Sequence, residues 1–121
     1  MSLNILAVDD SRTMRDMLRL SLTNAGMTVT TAEDGVHGLE LLETMQPDAI
    51  ISDVNMPRLN GFGFIAAIRK IERLRAVPIL ILTTESAPEL KARARNAGAT
   101  GWIVKPFDPQ KLVSSIQMVT G

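Results

Sequence analysis

The sequence predicts an α/β fold, a doubly wound parallel sheet with helices on both faces, and three observations carry that prediction. Short apolar runs recur along the 121 residues. Each is followed by a segment whose apolar residues keep helical spacing, the alternation expected of strands joined by right-handed crossover helices. Polar or charged residues close four of the five runs, which puts chemistry at the sheet edge where such folds bind ligands.

Residues 5–8 (ILAV) form the first strand, an unbroken apolar run suited to burial on both faces. Met14, Met17, Leu18, Ser21, Leu22 and Ala25 then fall on one face of a helix, which Gly26 ends. Residues 28–32 are a weaker second strand, followed by a helix carrying Gly38, Leu41, Leu42 and Met45 that Pro47 stops. Residues 49–51 are the third strand, and Phe64, Ile68 and Ile71 mark its helix. Residues 79–82 are the fourth, with Ala87, Leu90, Ala94 and Ala97 on a helix closed by Gly98. Residues 102–104 are the fifth, followed by Leu112, Ile116 and Val119. The methionines and leucines on these faces read as core residues and not as cofactor contacts. Five strand-helix units fill residues 1–121, so the expectation is a single domain with no effector domain.

Composition narrows the function. Thirteen basic and thirteen acidic residues cancel, so no overall field favours nucleic acid or an anionic membrane. The absence of cysteine excludes disulfides, thiolate zinc sites and cysteine nucleophiles, and a lone histidine, His37, excludes multi-histidine metal centres. No segment reads as a signal peptide or membrane span, and the expectation is a soluble cytoplasmic protein without membrane insertion.

The strand ends carry the informative residues. Asp9 and Asp10 follow the first run, Ser52 and Asp53 the third, Thr83 and Thr84 the fourth, and Lys105 and Pro106 the fifth, while the second contributes nothing obvious. Adjacent carboxylates at the end of a buried strand repel each other and resist desolvation. A hard divalent cation reconciles three of them, and an all-oxygen donor set favours magnesium or manganese over zinc. Magnesium keeps waters and is often completed by a phosphate oxygen, which points to phosphoryl chemistry, with Lys105 pairing to one phosphoryl oxygen and Thr83 donating to another. Each residue alone has a simpler explanation. Asp10 or Ser11 would cap a helix, Asp53 would open a turn, Thr83 would be a β-branched strand residue and Lys105 a solvated charge. Their convergence on one edge favours a site.

The segments "VDDSRTMR", "SDVNMPRLNGFGF", "ILTTES" and "GATGWIVKPFDPQKL" resemble, over the whole chain, the response-regulator receiver domains of two-component signalling, in particular the single-domain chemotaxis regulators of CheY type. The resemblance implies a flavodoxin-like sheet of strand order 2-1-3-4-5. It implies that Asp53 is the phosphoacceptor, attacking the phosphorus of a phosphohistidine on a sensor histidine kinase. Asp10 and Asp53 would hold magnesium with their side chains, Asp9 directly or through water, and Asn55 with its backbone carbonyl; manganese is an alternative ion. Lys105 would contact Asp53 at rest and the phosphoryl group afterwards. Thr83 would follow the phosphoryl group, and Trp102 would turn inward as the aromatic switch. The family joins Lys105 and Pro106 by a cis peptide, and Pro57 and Gly61 shape the loop after Asp53. Asn55 and Glu85 resemble the pair found in rapidly self-hydrolysing chemotaxis regulators, which implies a short-lived phosphoryl state. Two positions depart from the pattern. Trp102 stands where tyrosine or phenylalanine is usual, and Thr84 where alanine, glycine or serine is more common.

The resemblance implies a monomeric binding switch whose partners are a chemotaxis kinase and the flagellar motor switch. A phosphate sink that drains the kinase is a variant of that reading. A magnesium-dependent aspartyl phosphohydrolase is the enzymatic alternative, but it would carry an acid-base aspartate where this chain has Asn55. Neither a G-x-G-x-x-G nor a G-x-x-x-x-G-K-[ST] motif supports nucleotide binding. The "KARAR" stretch, with Lys91, Arg93 and Arg95, reads as a solvated helix face and not as a DNA-binding patch. Arg69, Lys70, Arg73 and Arg75 likewise read as a solvated helix end, and His37 as a surface residue away from the carboxylate edge.

Overall fold

The structure, a computed structural model, describes residues 2–84 and 87–121. The elements alternate as β1 (Asn4–Val8), α1 (Arg12–Asn24), β2 (Thr28–Ala32), α2 (Gly35–Leu42), β3 (Ala49–Asp53), α3 (Gly61–Arg69), a short 3-10 turn (Glu72–Leu74), β4 (Ile79–Thr83), α4 (Pro88–Ala97), β5 (Gly101–Val104) and α5 (Pro109–Thr120). The strands form one parallel sheet in the order β2-β1-β3-β4-β5.

Strand side chains alternate between two cores, as the pleat requires. Leu6, Val8, Ile50, Ile79 and Ile81 pack with Leu42 of α2, Phe64, Ile65 and Ile68 of α3 and Ala94 of α4. Ile5, Ala7, Ala49, Ile51, Leu80 and Leu82 pack with Leu18 and Leu22 of α1 and Leu112 and Ile116 of α5. Burial on both faces explains why these strands read as unbroken apolar runs.

Helices α1, α2 and α3 start on capping side chains. Ser11 accepts from the Met14 N–H at 3.2 Å, Asp34 from His37 at 2.9 Å and Asn60 from Gly63 at 2.9 Å, each satisfying a first-turn amide. Pro88 and Pro109 open α4 and α5, and Gly98, at φ 110°, closes α4 in the left-handed conformation that favours glycine.

Several boundaries differ from the sequence expectation. Helix α2 ends at Leu42, before Met45, because the Glu43 and Thr44 amides bond back to Glu40 and Leu41 and tighten the last turn. Helix α3 ends at Arg69, before Ile71, which instead caps the 3-10 turn. Ala25 and Ala87 are caps, not helical residues. Strands β3 and β4 run on through Asp53 and Thr83, since the register pairs Asp53 with Leu82 and Thr83 with Val104 and backbone pairing is indifferent to the side chain.

The basic cluster after α3 is corrected more substantially. Arg69 is not a solvated charge: its guanidinium donates to the carbonyls of Leu74, Arg75, Val77 and Gly98 at 2.7 to 3.1 Å, stitching α3 to the following turn and to the end of α4. Arg73 donates to the carbonyls of Leu42 and Met45 and to the Gln46 side chain, holding the end of α2. His37 is half-buried, and its Nδ1 accepts the Glu33 N–H at 3.2 Å. Among the described residues no helix is long and apolar enough to cross a membrane.

Candidate functional site

The polar residues that close β1, β3, β4 and β5 stand at the carboxyl edge of the sheet, where the strand order reverses beside β1 and β3. Asp9 is fully buried and its Oδ1 accepts the Ser11 N–H at 2.9 Å, while its backbone carbonyl accepts from Arg15 at 2.8 Å. Asp53, 6% exposed, ends β3, and its Oδ1 accepts the Val54 N–H at 2.8 Å. Asp10 is exposed at the mouth.

Carboxylate oxygens of Asp9, Asp10 and Asp53 all lie within 4.8 Å of one another. The Lys105 ammonium stands among them, donating to Asp9 Oδ2 at 3.0 Å and lying 3.2 Å from Asp53 Oδ1. A cis peptide joins Lys105 to Pro106, and the Lys105 N–H donates to the Thr83 carbonyl at 2.7 Å, tying the β5 end to β4.

Burial pushes the Asp53 carboxyl above the usual carboxylate range, and the charge of Asp9 adds to the rise, against the lowering effects of Lys105 and the Val54 amide. Burial opposes the charge of Lys105, but hydrogen bonding and attraction from Asp9 and Asp53 prevail and raise its pKa. Among the described residues one ammonium forms ion pairs with two of these three clustered carboxylates and leaves the cluster incompletely compensated, and the all-oxygen donor set fits a hard divalent cation such as magnesium.

Thr83 is buried at the end of β4 and lines a cavity of about 140 Å³ together with Asn55, Asn60, Phe62 and Arg93. The Arg93 guanidinium lies 4.3 Å from the centre of the Phe62 ring, so this member of the "KARAR" stretch bridges α4 to α3. Trp102 sits on β5 opposite Ile81, on the same sheet face as Thr83 and one alternation back along the strand. It is half-buried, and its indole N–H is buried without an acceptor among the described residues. Thr84 is exposed, and Glu85 lies outside the described residues.

Asp9, Asp10, Asp53 and Lys105 are thus brought together, with Thr83 and Asn55 sharing a cavity beside them. Sequence reading missed the contribution of β2: Asp34, just beyond its end, pairs with Arg58 of the loop after β3. Asp34-Gly35 before a helical segment is a capping signal that could have marked Asp34; nothing in the sequence marked its partner.

Comparison with known proteins agrees with this geometry. The family model described as "Response regulator receiver domain" matches residues 5–117. The chain is 38% identical to the response regulator MprA of Mycobacterium ulcerans over 97% of its own length, and spans about half (50%) of that relative. It superposes with a TM-score of 0.95 on the chemotaxis protein CheY4 of Vibrio cholerae, at 45% identity, covering 98% of this chain and 99% of that one. The receiver domain of the sensor histidine kinase PA1611 from Pseudomonas aeruginosa PAO1, described with a magnesium ion coordinated in its active-site cleft, superposes with a TM-score of 0.93 at 29% identity over 100% of this chain and 99% of that one.

Proposed function

The chain belongs to the response-regulator receiver family, as a CheY-type member of two-component signalling, and from that premise we propose that Asp53 accepts a phosphoryl group and that the change is read by a protein partner. Receiver domains are phosphoacceptor switches and not enzymes in the usual sense. The observation that carries the reading is the burial of Asp53 beside two further carboxylates and one lysine.

In the proposed reaction an Asp53 carboxylate oxygen attacks the phosphorus of a phosphohistidine on a sensor histidine kinase. The P–N bond breaks, its electron pair returns to the imidazole, and an acyl phosphate forms on Asp53. Asp10 and Asp53 would hold magnesium with their side chains, with Asp9 and the Asn55 backbone carbonyl as further oxygen donors; manganese would suit the same donors. When bound, the ion would supply neutralisation of charge on the phosphoryl oxygens. Lys105, already placed between Asp9 and Asp53, exchanges its carboxylate contact for a phosphoryl oxygen. Positioning and charge neutralisation are what phosphoryl transfer chiefly requires, and the chain supplies them for self-catalysed transfer from small donors as well.

The acyl phosphate adds about two negative charges to the site. Thr83 moves toward them as a neutral donor, and Trp102, on the same sheet face, turns into the space beneath α4. The orphaned indole N–H favours such a change of rotamer, because the present position leaves a buried donor unsatisfied. The surface of α4, β5 and α5 then changes its affinity for a partner, and the similarity to a chemotaxis protein supports the flagellar motor switch as that partner. Asn55, exposed beside the cavity, orients the water that regenerates the carboxylate by cleaving the P–O bond, a role shared with Glu85. We read residues 1–121 as one receiver domain acting as a cytoplasmic monomer.

The test follows the fluorescence of Trp102, the only tryptophan, on addition of beryllofluoride with magnesium. Wild type changes its emission, Asp53→Asn does not, and Thr83→Ala binds the mimic with a diminished change. An unaltered spectrum in wild type that has bound the mimic overturns the proposed link from Asp53 to Trp102.

A further inference from the structure

The loop between β3 and α3, residues 54–60, is held from outside the carboxylate cluster. Arg58 lies at φ 67°, a left-handed conformation that is rare for a residue with a side chain and persists only where the surroundings over-determine it. Its guanidinium supplies that constraint. Arg58 Nε donates to Asp34 Oδ2 at 2.7 Å and Nη2 to Asp34 Oδ1 at 2.9 Å, a bidentate fork whose acceptor is only 4% exposed.

Asp34 is itself fixed, since Oδ1 also accepts the His37 N–H that begins α2. Beside it the backbones approach closely: a Cβ added to Gly35 would lie 2.9 Å from the Leu59 carbonyl oxygen. Within the loop, the Leu59 N–H reaches the Pro57 carbonyl at 2.7 Å and the Gly61 N–H reaches Val54 at 2.8 Å. The segment carrying Asn55 is therefore pinned at its far side by an ion pair to a different helix. No hydrogen bond or ion pair joins Arg58 to Asp9, Asp10 or Asp53, so any effect on the cluster passes through the loop.

We propose that Arg58 is a positioning residue for divalent-cation binding: its fork onto Asp34 holds the β3–α3 loop so that the Asn55 carbonyl stands ready beside Asp10 and Asp53. The inference rests on the reading of Asn55 as a backbone ligand. The pair organises the site before the ion arrives, and the guanidinium is suited to this because two parallel bonds set an orientation that a point charge cannot.

Magnesium titration of the intact chain by calorimetry tests it, with Arg58→Gly, Asp34→Asn, the double variant and Asp10→Asn. Glycine at position 58 removes the guanidinium while accepting the left-handed backbone, and asparagine at position 34 keeps a capping oxygen while losing the charge. Each single variant is expected to bind magnesium about tenfold more weakly, at the low end of what an outer-layer partner of a metal ligand contributes, and the double variant no more weakly than either. Amide exchange of residues 55–59 in the metal-free protein is expected to accelerate in Arg58→Gly, a readout independent of the ion. Wild-type affinity in Arg58→Gly, or losses that simply add in the double variant, would overturn the proposal while leaving the metal reading intact. A wild type that does not bind, or an Asp10→Asn variant that binds as well as wild type, would overturn the metal reading and this inference with it.

Discussion

The ammonium of Lys105 stands 3.2 Å from Oδ1 of Asp53, with its closest carboxylate contact, at 3.0 Å, made to Asp9. Lys105 therefore offsets two buried carboxylates at once. Removing one member of a buried charged cluster leaves the others uncompensated, and Lys105→Met is expected to lower metal-free stability at neutral pH by about 3 kcal/mol, read by urea denaturation. The pH dependence follows from its raised pKa. Its stabilisation is complete below the unfolded lysine value of about 10.4 and is lost as pH rises through the higher folded value, so wild type loses stability in alkali more steeply than Lys105→Met does.

Asp53→Asn is expected to behave in the opposite sense. Burial, and then the Asp9 charge, raise the Asp53 pKa above its unfolded value, so the folded state binds the additional proton more readily and stability falls as pH rises through that interval. At neutral pH without magnesium the asparagine variant should melt at a higher temperature than wild type. A lower melting temperature would show that the Lys105 contact outweighs the burial of charge.

Gly61 meets the end of β3 so closely that an added Cβ would lie 2.4 Å from the Asp53 carbonyl oxygen and 3.0 Å from the Val54 Cα. Both are backbone atoms, so relief requires the chain to shift. Gly61→Ala is expected to cost about 2 kcal/mol, within the range for overpacked positions, and to slow phosphoryl uptake by displacing Asp53. Thermal denaturation and uptake rate check the two effects separately.

Arg69 satisfies four backbone carbonyls, those of Leu74, Arg75, Val77 and Gly98. Truncation to alanine withdraws all of those charged donors from a half-buried location. A loss of about 2 kcal/mol is expected, with phosphorylation of the folded fraction unchanged. Stability equal to wild type would return Arg69 to the solvated role its position in the sequence suggests.

The fold was legible because both faces of the sheet are covered. Ile5 to Val8 and Ile79 to Leu82 could therefore stay apolar without alternation, and the polar residues that interrupt them mark the strand ends. The cluster of Asp9, Asp10, Asp53 and Lys105 was legible for the same reason, since each member closes a strand or lies within two residues of its end. Contacts that span distant stretches were not. Arg58 and Asp34 are 24 positions apart, and Arg69 reaches Gly98 across 29, with no periodicity to link them. Helix ends were misjudged where local hydrogen bonding decides the matter, as at Glu43 and Thr44, because an apolar pattern continues past the last full turn.

The most direct test of the central claim is the intact mass of the protein after incubation with acetyl phosphate, with and without magnesium, beside Asp53→Asn. The account predicts a gain of one phosphoryl group that requires magnesium, maps to Asp53 and is absent from the variant. Equal labelling of Asp53→Asn, or no adduct in a wild type that also fails to bind beryllofluoride, would contradict it.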